Sequence, residues 1–201
     1  MCEHGQNGIK HRSCYVKNLI PKDKKVGFLD IETTNLDANF GMMLCWAIKP
    51  LNKQTVYYVI SKKDFDSGQY DKEITKKLIK EIEKYDVIVT YYGTKFDIPY
   101  ARTRALNHNI NFPLPRTIRH IDVYYLAKNK LKLNSNRLAT VSEFLKVGGK
   151  TKLDNTMWVR ASIGHKKSLE YVLEHNIKDV EVLERTYLKL LPFLSDNICY
   201  I

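Results

Sequence analysis

The sequence predicts an α/β fold in which a central mixed sheet of five to six strands is flanked by helices. Three β-rich segments separated by short turns come first and indicate antiparallel strands. An amphipathic helical segment follows, and then strand-like and helix-like segments alternate to the end. The length of 201 residues is that of one ordinary domain. Together these observations favour one α/β domain.

Each element is predicted from its local pattern. The opening strands are placed at residues 25–32, 42–49 and 54–60, with turn-forming residues between them. Apolar residues at helical spacing (Ile74, Leu78, Ile79 and Ile82) predict a helix over 71–84. The later elements are a buried strand at 86–91, a helix at about 99–107, a strand at 117–121, a helix through Leu145 capped by Ser135 or Asn136, and a helix over 169–191 with a break at His175-Asn176 and an end at Pro192.

The net charge indicates a polyanionic partner. Thirty-three Lys and Arg residues against 22 Asp and Glu residues give +11, and the isoelectric point is about 9.4. Such an excess attracts nucleic acids. No apolar stretch reaches the roughly 20 residues of a membrane span, and the N-terminus lacks a signal-peptide core. We therefore expect no membrane partner and a cytoplasmic protein, of a cell or an infected host.

Four carboxylates indicate a metal site. Asp30 and Glu32 lie two residues apart on the first predicted strand, so their side chains leave the same face. Two adjacent like charges are unfavourable unless a cation neutralises them. Asp97 and Asp179 would complete an all-oxygen ligand set, which Mg²⁺ and Mn²⁺ prefer over zinc. This pattern predicts a two-metal phosphodiesterase.

The order of these motifs resembles the DEDD superfamily of 3′→5′ exonucleases. The matching segments are Asp30 to Thr34, Tyr92 to Tyr100 and His175 to Asp179. That superfamily has a ribonuclease H-like fold and includes the proofreading domains of DNA polymerases. The resemblance extends over roughly residues 25 to 192, so it implies the same fold for nearly the whole chain.

The resemblance also implies roles for individual residues. Asp30 would bridge two Mg²⁺ or Mn²⁺ ions, Glu32 and Asp179 would complete the ion on the nucleophile side, and Asp97 would reach the other ion mainly through water. His175 occupies the spacing of a tyrosine in one branch of the superfamily, four residues before Asp179. Because residues i and i+4 share a helix face, it could orient or deprotonate the attacking water. A helix-end packing role for His175 stays open.

Other residues are candidates for metal or nucleic-acid contact. Asp122 is the first reserve as a metal neighbour, and Tyr171 is the less favoured substitute for His175. The superfamily often has an asparagine shortly before Phe-Asp. This sequence has Tyr91 and Tyr92, followed by Gly93, in that region. The candidate nucleic-acid-binding residues are Thr33, Thr34, Leu36, Tyr92, Gly93, Phe96, Lys128, Lys130 and Lys132.

The N-terminal segment 1–24 is predicted to be an extension of the 25–201 domain. Cys2, His4, His11 and Cys14 form two Cys/His pairs, which is one pattern of a structural Zn²⁺ knuckle. The first pair is unusually tight and the loop is short. Unpaired cysteines in a loose tail are the alternative, and both interpretations stay open.

The sequence therefore favours a metal-dependent 3′→5′ exonuclease that acts on DNA, on single strands or frayed ends. An RNA exonuclease and a structure-selective endonuclease are alternatives on the same fold. A non-catalytic nucleic-acid-binding protein is the alternative from another class, although it would gain nothing from four grouped carboxylates. Replication or repair proteins are compatible with this activity as protein partners, and the sequence does not indicate the oligomeric state.

Overall fold

A six-stranded mixed sheet forms the centre of the molecule. The computed structural model describes residues 24–148, 154–194 and 199–200. The sheet order is β3-β2-β1-β4-β5-β6. Pairs β1-β4 and β4-β5 are parallel, and the other neighbouring pairs are antiparallel. The strands are β1 Val26–Thr33, β2 Met43–Pro50, β3 Val56–Val59, β4 Val87–Thr90, β5 Arg119–Asp122 and β6 Cys199–Tyr200. The predicted α/β class and mixed sheet are confirmed.

Helices cover both faces of this sheet. A 3₁₀ turn at Leu191–Phe193, with Pro192 inside it, follows the last helix. None of the helices in the described ranges is long and apolar enough to cross a membrane. The helices are α1 Lys62–Asp66, α2 Lys72–Ile82, α3 Asp97–Asn107, α4 Val123–Lys130, α5 Leu138–Phe144, α6 Asn155–Ser162 and α7 Lys166–Leu190.

The alternation of β1 divides the core into two layers. Val26 and Phe28 pack with residues of α7 on one face, and the Phe28 ring lies 5.4 Å from the Tyr187 ring. Leu29 and Ile31 point to the other face, where they pack with α2 and α3. Because side chains alternate along a strand, Asp30 and Glu32 continue the Phe28 face and point towards α7.

The helix α7 is continuous, so the predicted break at His175-Asn176 is wrong. An asparagine inside a helix favours other conformations when its side chain bonds the nearby backbone. The side-chain amide of Asn176 instead donates to Asp30, 2.6 Å away. The competing backbone contact is therefore not made, and the helix runs unbroken over 25 residues.

Several predicted boundaries also differ from the structure. The third strand is confined to Val56–Val59, where it pairs with β2 at the sheet edge. Neither Ser135 nor Asn136 caps α5, since the N-cap residue is Arg137, and the Ser135 hydroxyl accepts from the Arg137 N–H. The short helices α1 and α6 were not predicted as separate elements, although α1 has a capping box of Ser61 and Asp64.

Candidate metal centre

The strand β1 presents two carboxylates at the edge of its buried face. Asp30 pairs with Ala47 of β2, and Glu32 pairs with Cys45. The register shifts directly after Glu32, between Glu32 and Thr33. Irregularities of this kind bend a strand and redirect its side chains, and they are frequent beside active sites. The carboxylates of β1 therefore lie at the end of the strand, next to the apolar core around Phe28.

The helix α7 supplies the facing residues because it crosses β1 in the opposite direction. Tyr187 lies against Phe28, and Asn176, earlier in α7, bonds Asp30 farther along the strand. Asp179 lies on the same side of the helix. Ligand atoms of Asp30, Glu32 and Asp179 all lie within 4.8 Å of one another. Three of the four predicted metal ligands are thus brought together.

The fourth predicted ligand, Asp97, is not one of this group of three. It is the first residue of α3 and is buried, with 2% of its surface exposed. Its Oδ1 accepts a hydrogen bond from the Ile31 N–H at 3.1 Å, between the two carboxylates of β1. Asp97 is therefore close to the cluster without belonging to the group of three, and a ligand role for it stays a prediction.

The cluster is electrostatically unbalanced. Burial raises the pKa of Asp30 well above its usual range, and the charges of Asp97, Glu32 and Asp179 raise it further. Burial and the charges of Asp179 and Asp97 do the same to Glu32. Burial raises the pKa of Asp97 to about 7, against the opposing hydrogen bond from Ile31, and also raises that of Asp179. A bound cation would remove this repulsion.

Asn176 is a site residue that the sequence analysis missed. It is fully buried, and its amide donates to Asp30 Oδ2 at 2.6 Å. Its Oδ1 has no hydrogen-bond partner among the described residues. The spacing could have revealed it, because position 176 lies three residues before Asp179, within one helical turn. Asn176 holds Asp30 in place and leaves a buried acceptor beside the carboxylates.

His175 lies beside Asp179, as its helical spacing predicts. Its Nδ1 is 3.5 Å from Asp179 Oδ1 and makes no hydrogen bond within the described ranges. The edge of the imidazole meets the Trp158 ring, with 5.8 Å between centroids, so α6 fixes one side of the ring. The Tyr171 hydroxyl instead accepts from the Asp154 N–H at 3.1 Å. The geometry thus favours His175 over Tyr171.

A family model of the RNase H superfamily matches residues 27–191, which is most of the chain. The chain belongs to the RNase H superfamily. A DNA polymerase of Methanocaldococcus jannaschii is 28% identical over 188 residues, covering 81% of this chain and 11% of the polymerase. The family B DNA polymerase of Pyrobaculum calidifontis has the same fold, with a TM-score of 0.71 and 18% identity, over 86% of this chain and 25% of the other. The chain therefore spans only a small part of either polymerase.

The threonines of this RNase H-like domain shape the turn after β1. The Thr33 hydroxyl donates to the Asn35 carbonyl at 2.8 Å, and Thr33 is buried. The Thr34 hydroxyl accepts from the Met42 N–H at 3.0 Å. Leu36, between these bonds, is 80% exposed. The turn therefore holds Leu36 out into solvent, four residues after Glu32.

A small hollow opens beside this turn. Its volume is about 150 Å³, and its walls include Leu36, Lys95, Phe96 and Tyr100. Phe96 directly precedes the first residue of α3, and its ring centroid lies 5.5 Å from that of Tyr100. The predicted contact residues Leu36 and Phe96 thus line one concave surface.

The second motif owes its shape to Asp122 of β5. The Asp122 carboxylate accepts from the N–H groups of Tyr92 and Thr94, at 2.8 and 3.0 Å. A Cβ on Gly93 would lie 2.3 Å from Thr90 Oγ1, so this glycine permits a close approach to β4, and its contact with nucleic acid stays a prediction. Asp122 therefore builds the turn and is not one of the three grouped ligands.

The remaining predicted residues fall into two sets. Lys128 and Lys130 end α4, Lys132 follows it, and all three are exposed. Cys2, His4, His11 and Cys14 lie outside the described residues, so the Zn²⁺ knuckle and the boundary of the extension stay predictions.

Proposed function

We propose that this domain is a divalent-metal-dependent 3′→5′ exonuclease that hydrolyses DNA at single-stranded or frayed ends by a two-metal-ion mechanism. One observation carries the proposal: the carboxylates of Asp30, Glu32 and Asp179 converge within 4.8 Å, although no cationic side chain of the described residues lies against Asp30 or Glu32. Membership in the RNase H superfamily and the resemblance to part of a DNA polymerase support nuclease chemistry.

The residues fit Mg²⁺ or Mn²⁺. Carboxylate oxygens are the ligands that these ions prefer, and the unpartnered Oδ1 of Asn176 adds one more oxygen beside them. Asp30, Glu32 and Asp179 would hold the ions, with Asp97 joining through water. When bound, the ions lower the pKa of a water molecule and stabilise charge on the entering and leaving oxygens.

The chain's own groups then place the reactants. Asn176 and the Ile31 N–H hold the carboxylates of Asp30 and Asp97 in fixed orientations. The free Nδ1 of His175 can accept a proton from water or orient it, because it faces Asp179 without a hydrogen-bond partner in the described chain. His175 thus serves as the base or water-positioning group.

The surroundings favour the end of a polynucleotide. The hollow lined by Leu36 and Phe96 has room for part of one nucleotide rather than for a duplex. The exposed lysines Lys128, Lys130 and Lys132 offer phosphate contacts without sequence preference. An end-directed activity with little sequence selectivity is the function that these features support.

Degradation of end-labelled oligonucleotides tests the proposal. With Mn²⁺, a 5′-labelled single-stranded DNA should yield a ladder that shortens from the 3′ end, and EDTA should abolish it. The variant to compare is Glu32→Gln, which keeps the shape of the side chain but removes the charge of a proposed metal ligand. It should remain folded and lose the ladder.

The product pattern distinguishes the alternatives. Internal fragments from a 3′-blocked strand would indicate an endonuclease, and faster degradation of an RNA strand would assign the domain to RNA. Equal activity of Glu32→Gln and the unaltered protein would overturn the metal centre. Binding without hydrolysis under every metal condition would overturn the enzyme assignment.

A further inference from the structure

Three tyrosine rings meet on the surface where β4 ends and α4 begins. The Tyr92 and Tyr124 rings are 4.8 Å apart, edge to face, and Tyr124 meets Tyr125 in the same way at 5.1 Å. The planes of Tyr92 and Tyr125 lie within 27° of each other, with centroids 6.5 Å apart. Tyr92 is 44% exposed, and the other two are partly exposed. These three residues are called the tyrosine platform below.

The platform is held in a costly conformation. Tyr92 has φ of +68°, a left-handed backbone that costs a bulky residue about 1–2 kcal/mol and that asparagine or glycine adopts more easily. Strain of this kind persists where the surroundings enforce it, and it concentrates at functional sites. The backbone of Tyr92 is therefore not explained by local preference.

One carboxylate enforces the arrangement. Asp122 accepts from the N–H of Tyr92 at 2.8 Å and from the N–H of Tyr124 at 3.1 Å. The same side chain thus fixes the turn that carries the first ring and caps the helix that carries the other two. The platform is consequently positioned before any partner arrives, which lowers the entropy lost on binding.

The platform has a lysine beside one ring and lies at the edge of the sheet towards which β1 and β4 both run. Lys128 Nζ is 6.0 Å from the Tyr124 ring centroid, and Lys95, three residues after Tyr92, is exposed. Strand β4 is the parallel neighbour of β1, so the residue after its carboxyl end emerges on the same side as Glu32. An anionic, aromatic ligand that extends from the metal centre fits these surroundings.

We propose that the tyrosine platform binds an unpaired nucleobase of the single strand whose end occupies the metal centre. The proposal rests on the proposed function for the class of substrate. In a duplex the faces of the bases are stacked inside and cannot reach the platform, whereas a single strand exposes them. Stacking on tyrosine does not select among bases, which suits an enzyme that removes any nucleotide in turn.

Affinity measurements without catalysis test the proposal. In EDTA, a fluorescent oligothymidine of roughly 12 nucleotides is titrated with the unaltered protein, Tyr92→Asn and Tyr125→Ala. Asparagine tolerates the left-handed backbone at position 92, so that substitution removes the ring with little strain. Each variant should raise the Kd by about 5- to 100-fold. Tyr57→Ala, at an exposed tyrosine of the edge strand β3, is the matched control and should bind as the unaltered protein does.

A second test uses a series of oligonucleotides, each with one abasic nucleotide at a different position. The Kd of each is measured with the unaltered protein and with Tyr125→Ala. One position, at a constant distance from the 3′ end, should raise the Kd, and this penalty should vanish in Tyr125→Ala because both changes remove the same contact. Equal affinity at every abasic position, or unaltered affinity of both tyrosine variants, would overturn the proposal.

The two proposals can fail separately. If the tyrosine variants bind single strands as tightly as the unaltered protein, but the protein still forms a ladder with Mn²⁺, the platform proposal fails and the exonuclease proposal stands. A protein that binds single strands through the tyrosines but never hydrolyses them would retain the platform and lose the exonuclease assignment. Tighter binding of a fully paired duplex than of the single strand would overturn the platform alone.

Discussion

Two clusters with buried carboxylates lie on opposite faces of the sheet, and their chemistry differs. On the face of α2 and α3, Asp71 is fully buried and receives two hydrogen bonds from the Arg104 guanidinium, at 2.6 and 2.8 Å. His108 and the Met43 N–H complete its shell. These partners hold the pKa of Asp71 below its usual value despite burial. The Asp71 cluster therefore contains its own cation.

Among the described residues, no arginine or lysine pairs with the acidic cluster of Asp30, Glu32, Asp97 and Asp179, and its basic neighbour is His175, 3.5 Å from Asp179. Burial raises the pKa values of all four carboxylates, and the charges of neighbouring carboxylates in the cluster raise those of Asp30 and Glu32 further. A buried charge without a counter-ion is costly. The described part of the fold therefore carries a group of carboxylates that its arginines and lysines do not neutralise. The Asp71 cluster thus stabilises the fold with its own cation, whereas the acidic cluster is the one that we propose to bind divalent cations.

The largest expected effect is that of Asp30→Asn. Turnover should fall by about 10³-fold or more, the scale expected when a charge-stabilising group is lost. In EDTA, however, the melting temperature should rise, because one of four repelling carboxylates is gone. Nuclease assays and thermal unfolding in EDTA and in Mn²⁺ measure both effects. Turnover equal to that of the wild type in this variant would contradict the assignment of Asp30 as a metal ligand.

The two clusters each place a histidine beside a carboxylate, and these histidines should behave differently. His175→Phe should lower turnover by about 10²- to 10⁴-fold with little change in substrate affinity, since it removes a base or water-orienting group. Tyrosine at position 175 should retain part of the activity, as the resemblance to the tyrosine branch implies.

The matched control for this comparison is His108→Asn in the Asp71 cluster. It should reduce the free energy of unfolding by about 1 kcal/mol through a lost hydrogen bond and leave turnover unchanged. Single-turnover kinetics and denaturant unfolding separate the two outcomes. Full activity of His175→Phe would make His175 a packing residue.

Asp71→Asn should be strongly destabilising. It leaves the Arg104 side chain, 11% exposed, with no counter-charge. Breaking a buried ion pair from one side costs about 3–5 kcal/mol, which corresponds to a fall of about 6–20 °C in melting temperature for a domain of this size. A fall as small as that of Lys62→Met, which breaks an exposed pair with Asp66, would contradict the structural role of the Asp71 cluster.

The two clusters should make opposite contributions to the pH dependence of the free energy of unfolding. The pKa of Asp97 rises from 3.8 to about 7 on folding, so the native state holds more protons than the unfolded state in that window. In EDTA the free energy of unfolding should therefore fall as the pH rises from about 4 to about 7. Asp71 has a lowered pKa, so its contribution is present above its ordinary value of 3.8 and is lost as the pH falls below it.

Urea unfolding at about pH 5 and about pH 8 measures this slope. Saturating Mn²⁺ should reverse it, since metal binding requires deprotonated ligands and stabilises the native state. A flat profile in EDTA would contradict the raised pKa values of the acidic cluster.

Much of the fold was predictable because its signals are local. Alternation along β1 placed Asp30 and Glu32 on one face, and the four-residue spacing placed His175 with Asp179. The boundaries of short elements were less predictable, since α1 and α6 are only five and eight residues long and carry little periodic pattern. The break expected at His175-Asn176 was wrong because a contact to residue 30 outweighed the local preference of asparagine.

The sequence by itself determined the order of the carboxylates, the faces on which they lie and the family to which the chain belongs. Only the tertiary structure decided which residues meet across the chain. It brought Asn176 to Asp30, gave Asp71 its arginine, and gathered Tyr92 with Tyr124 and Tyr125. The physical reason is that side-chain direction follows from a repeat of two or about four residues, whereas these contacts depend on how α7, α3 and α4 lie against the sheet.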